Sequence, residues 1–179
     1  MADTPIQLLQ PDNFEPFEVQ FVWSTEQATL HFAKRLAQQL SLLPAPISVF
    51  IELHGDLGSG KTTLVRHVLQ ALGVMGRIKS PTYAIVESYD DLRDALQYPM
   101  PVWHFDFYRF KDPMEWEEAG FREIFAGTGV KLVEWPEMAQ SQLPQADMSI
   151  HLLAAGDGSR TATVLAKTPC AGKLLTALR

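Results

Sequence analysis

The sequence is poor in cysteine, in positive charge and in long apolar runs, and each shortage excludes something. A single cysteine, Cys170, rules out an internal disulfide and fits a reducing compartment. No apolar stretch approaches the length needed to cross a bilayer. The start, Met1-Ala2-Asp3-Thr4-Pro5, lacks the basic residues and greasy core of a secretory signal, so a cytoplasmic protein without membrane contact is expected. Net charge is −6, which argues against a broad face gripping nucleic acid unaided. Internal repeats and low-complexity tracts are missing too.

The rest of the composition is that of a folded domain. Hydrophobic residues make up 46% of 179, enough for one sizeable core. Residues 1–16, with Pro5, Pro11 and Pro16, are expected to form an irregular extension, and 17–179 a single domain. Phe17 to Trp23 alternates as a strand does. Ser24 and Gln27 have the spacing of a capping box, opening a helix whose Ala28, Phe32, Leu36 and Leu40 recur every four residues. Pro44 and Pro46 end it, and a strand over 47–53 follows.

Gly55-Asp56-Leu57-Gly58-Ser59-Gly60-Lys61-Thr62 is a complete G-x-x-x-x-G-K-[ST] loop between that strand and a helix starting near Thr63. Glycines let successive N–H groups turn inward, and the helix dipole adds positive potential. Such a socket binds phosphate. Lys61 would reach the β- and γ-phosphates, and the Thr62 hydroxyl would hold Mg²⁺.

Further on, strands are expected over 83–89, 102–108 and 131–135, the first two pairing antiparallel because 90–100 is too short for a crossover helix. Asp112-Pro113 should start a helix running to about Ala119. A hairpin over 150–154 and 161–166 and a helix within 168–179 close the chain. The expected fold is α/β, a P-loop NTPase-like mixed sheet flanked by helices.

Hydrolysis needs a metal-holding carboxylate and a group to orient water. Period-two alternation puts His104, Asp106 and Tyr108 on one strand face, with Trp103, Phe105 and Phe107 on the other. Asp106 either serves a metal, pairs with Arg109 or lies exposed at an edge. Glu134 ends an apolar strand, where a Walker B acid stands; an ordinary charged strand end is the alternative. Residues alone do not say which acid lies nearer the metal. Ser80-Pro81-Thr82 reads by itself as a turn. Glu115, Glu117 and Glu118 around Trp116 read as a solvated acidic face, with partner docking as the alternative.

Taken together, Gly55–Thr63, Lys79-Ser80-Pro81-Thr82-Tyr83, His104-Phe105-Asp106-Phe107-Tyr108-Arg109 and Leu132-Val133-Glu134-Trp135-Pro136 resemble the TsaE (YjeE) family over roughly residues 24–166. The last three blocks, in this order, are specific to that family. The resemblance implies a slow, partner-stimulated, Mg²⁺-dependent ATPase in bacterial tRNA modification. It would act with TsaB and TsaD in making N6-threonylcarbamoyladenosine, touching tRNA only through the complex. It implies that Lys61 and Thr62 contact phosphate and Mg²⁺, that Asp106 and Glu134 serve metal and water, and that Thr82 belongs to a switch-like segment. Thr25 would help hold the base and Arg160 would close the site. This chain departs from the family in its longer N-terminal extension and in Ser59, where alanine is frequent. A nucleotide-dependent assembly switch with negligible turnover, and a small-molecule kinase, stay open as alternatives. Against the kinase, Arg93, Arg109 and Arg122 stand well apart.

Overall fold

In the computed structural model, residues 14–111, 113–139 and 141–179 are described. The expected irregular extension lies mostly outside them, as does the proposed cap Asp112. Seven strands form one mixed sheet: β1 (Phe17–Trp23), β2 (Ser48–His54), β3 (Val86–Tyr89), β4 (Val102–Asp106), β5 (Gly129–Glu134), β6 (Met148–Ala154) and β7 (Arg160–Ala166), in the order β1-β7-β6-β2-β5-β4-β3. The central strands β6, β2, β5 and β4 run parallel, so their carboxyl ends share one rim. The outer strands β1, β7 and β3 pair antiparallel.

Helices cover both faces. α1 (Glu26–Ser41), α2 (Lys61–Ala71) and α5 (Pro169–Leu178) pack on one, with Phe32, Leu36, Leu40, Leu64 and Leu175 in its core. α3 (Pro113–Glu118) and α4 (Phe121–Ala126) cover the other, where Phe50, Phe105, Phe107, Trp116 and Phe121 meet. Trp116 is buried there while Glu117 and Glu118 face water; the side chain of Glu115, the third acid of that expected face, lies outside what is described. Among the described residues, no helix is long and apolar enough to cross a membrane.

Several boundaries differ from the expectations. The cap of α1 is Thr25, not Ser24: its hydroxyl accepts from the Ala28 amide at 3.3 Å. The strand expected from Tyr83 begins only at Val86, because Ile85 takes a left-handed backbone, φ 66°. β4 stops at Asp106 and not Tyr108. β5 begins earlier than expected, at Gly129, where φ is 110° and a Cβ would lie 2.4 Å from the Pro101 carbonyl. Helix α4 is additional.

Candidate nucleotide site

The phosphate loop connects β2 to α2 at the rim of the parallel strands, where α/β sheets place ligands. Its glycines are set by backbone demands. Gly55 has φ 133°, and a Cβ there would meet the Leu152 carbonyl at 2.3 Å. Gly60 caps α2 in a left-handed conformation, φ 110°, directly beneath the Arg160 guanidinium. Ser59 is buried, and its hydroxyl has no hydrogen-bond partner.

Lys61 is 4% exposed. Its ammonium donates to the Gly55 and Asp56 carbonyls, at 2.5 and 3.0 Å, and sits 3.8 Å over the Trp135 ring. Trp135 reaches that position through a left-handed backbone, φ 57°. Burial lowers the Lys61 pKa, and Glu134, Glu137, Asp106 and Asp56 partly oppose that effect.

The two acids lie side by side, Asp106 paired with Glu134 across β4 and β5. Glu134 accepts from the Thr62 hydroxyl at Oε2, 2.8 Å, and contacts His104 Nε2 at Oε1, also 2.8 Å. Asp106 accepts from the hydroxyls of Ser80 and Thr82, the latter at 2.6 Å, and from the Tyr108 amide at 3.0 Å. It is buried and unpaired with Arg109, whose guanidinium lies 4.6 Å over Tyr83 instead. Hydroxyl and amide donors from two segments thus do the work expected of a cation.

A pocket of about 300 Å³ gathers these groups. Leu57, Gly58, Gly60, Lys61, Thr62, Thr63, Thr82, Asp106, Glu134 and Arg160 all line it, joined by Ser80, Tyr108 and Trp135. Gly55, Asp56 and Ser59 belong to the loop but do not line the pocket. Thr25 is not in the pocket: its hydroxyl serves the α1 cap, at the edge of a larger, mainly apolar groove of about 580 Å³ that contains none of the loop residues. The size of that groove is no guide to chemistry, because it lacks the amides, the lysine and the paired acids.

The oxygen donors suit a hard cation. Thr62, Glu134 and Asp106 offer one hydroxyl and two carboxylates, and Mg²⁺ is commonly bound through one or two carboxylates plus substrate phosphates. Among the described residues, no group of three or more His, Cys, Asp or Glu forms a closed metal cage. Sequence reading placed His104 on the face of Asp106 but gave it no link to Glu134. The alternation carried that signal, since His104 and Glu134 point to the same side of adjacent strands.

Comparison with known proteins agrees with the geometry. The pattern of the family described as "Threonylcarbamoyl adenosine biosynthesis protein TsaE" matches residues 23–162. A tRNA threonylcarbamoyladenosine biosynthesis protein TsaE from Haemophilus influenzae is 37% identical over 85% of this chain and 92% of its own length. A TsaE from Bacillus subtilis is 38% identical over 74% of this chain and 78% of its own. The crystal structure of Bacillus subtilis YdiB superposes with a TM-score of 0.72 at 28% identity, covering 93% of this chain and 97% of that one. On sequence and fold together, the chain belongs to the TsaE family.

Proposed function

We propose that this protein binds and hydrolyses ATP as a subunit of the machinery that makes N6-threonylcarbamoyladenosine in tRNA, acting with TsaB and TsaD. The relatives' names support the pathway. One observation supports the chemistry: Lys61, Thr62, Asp106 and Glu134 meet in a single pocket against a glycine-rich loop at a helix N-terminus.

In this reading the loop amides and the start of α2 receive the phosphate chain. Lys61 exchanges two carbonyl partners for phosphate oxygens, a stronger charge-assisted contact. Thr62, Glu134 and Asp106 would hold Mg²⁺, which when bound neutralises charge on the transferred phosphoryl group. The carboxylates also orient the attacking water. Thr82 and Ser80, hydrogen-bonded to Asp106, tie the 80–82 segment to the state of the pocket. Arg160 lies over Gly60 and closes the loop side.

The test is phosphate release from labelled ATP with and without purified TsaB and TsaD. Mg²⁺-dependent release that the partners increase, and that Lys61→Ala removes, is expected. Complex formation with ATP but no phosphate release identifies an assembly switch instead. A labelled organic phosphate identifies a kinase.

A further inference from the structure

His104 is a buried polar side chain that the catalysis described above does not use. His104 is fully buried on β4, and its Nδ1 has no hydrogen-bond partner. Leaving a buried polar group unsatisfied is costly, and an apolar side chain in the same space would avoid that cost. The polar contact that His104 makes is the one to Glu134.

Glu134 has a closed side and an open side. Oε1 faces His104 in the interior, and Oε2 faces the Thr62 hydroxyl. Thr62 and Glu134 line the pocket, whereas His104 does not. Thr62 is therefore the displaceable partner and His104 the fixed one. The sheet sets their spacing, because His104 pairs with Leu132, two residues before Glu134.

We infer that His104 is a positioning residue for Glu134: its Nε2–H holds Oε1 and so keeps Oε2 aimed into the phosphate pocket. A contact of 2.8 Å to a carboxylate oxygen places a proton on Nε2, which donates it to Oε1. Partners of this kind change metal affinity or activity by about 10–100-fold when removed. The kinetic part of this inference rests on the ATP-hydrolysing reading above.

Two substitutions separate positioning from packing. His104→Gln puts an amide nitrogen near the place of Nε2, and His104→Asn puts one near Nδ1, out of reach of Glu134. With a non-hydrolysable ATP analogue, His104→Asn should raise the Mg²⁺ concentration for half-maximal binding about tenfold and leave metal-free binding unchanged. With TsaB and TsaD it should lower kcat about 10–100-fold while KM for ATP moves less than about threefold. His104→Gln should recover most of both losses. Equal losses in the two variants, or none in His104→Asn, overturn the inference. Ring nitrogen NMR of the unsubstituted protein gives a readout that needs no variant of His104 to fold. A protonated, hydrogen-bonded Nε2 whose proton signal shifts in Glu134→Ala is expected, and an unprotonated Nε2 overturns the inference. Absence of Mg²⁺-dependent ATP hydrolysis by the wild-type complex would sink the functional reading alone, because the NMR assignment stands apart from turnover.

Discussion

Lys61 must carry its proton to hold a triphosphate, yet burial lowers its pKa from the ordinary 10.5. A lowered pKa means that the amine goes neutral at a less alkaline pH than a free lysine does. From neutral to alkaline pH, affinity for an ATP analogue should therefore fall at a lower pH than the titration of an ordinary lysine would set. Titration calorimetry across that range checks it, and affinity that holds steady up to pH 10.5 contradicts it. Ser59 offers a second case at this scale. Its buried hydroxyl has no partner, so Ser59→Ala should stabilise the fold by about 1 kcal/mol. That is a melting temperature higher by about 2–4 °C for a chain of this size, with analogue affinity unchanged. A lower melting point, or weaker binding, would mean that the hydroxyl has work in the site. What the sequence discloses at this scale follows sequence distance. Eight consecutive loop residues declare their chemistry together. The partners of Asp106 do not, because Ser80 and Thr82 stand 26 and 24 positions away and only the fold brings them close.

Elements were legible where their pattern is long and hidden where it is short. α1 spans sixteen residues and shows its apolar stripe plainly, but the capping-box spacing pointed to Ser24, one residue before the cap. Ser24 and Thr25 both carry a hydroxyl, and the extended backbone of Thr25, φ −146° and ψ 162°, decides between them. α4 is six residues long, less than two turns, and has no period to read. β5 opens on a glycine, which propensity counts against a strand, although the close approach of Pro101 requires it. Close packing also explains Gly172 inside α5. A Cβ there would lie 2.5 Å from the Phe14 ring. Gly172→Ala should gain helix propensity of about 1 kcal/mol and lose it again by displacing Phe14. In a Phe14→Ala background the same change should raise stability by most of that amount. Denaturant unfolding of the four proteins measures the coupling, and additive effects would show that Phe14 does not constrain this position.

Across the whole molecule, chain segments far apart in sequence are joined beneath the loop by one carboxylate. Glu52 on β2 accepts from Ser149 on β6 at 2.8 Å and from Lys167, just past β7, at 2.9 Å. His54 lies 3.5 Å from it, stacked on His151 and 3.4 Å from Glu137. The sequence foretold a mixed sheet but not this junction, since the pairing of β6 with the loop strand, and of β7 with β6, is set by topology. Burial alone would raise the Glu52 pKa. Hydrogen bonds from His54, Lys167 and Ser149, with the charge of Lys167, outweigh burial and bring it from 4.5 to about 2. A carboxylate held below its unfolded value stabilises the fold above pH 4.5, and that contribution disappears as pH falls toward 2. Discounted for the solvent-open side of the cluster, it amounts to about 1–2 kcal/mol. Glu52→Gln keeps the shape and an acceptor but has no proton to take up. Between pH 5 and pH 2.5 the wild-type melting temperature should therefore fall further than that of Glu52→Gln, by a few degrees. Parallel melting curves for the two proteins across that interval would show that the junction holds the sheet by shape and not by charge.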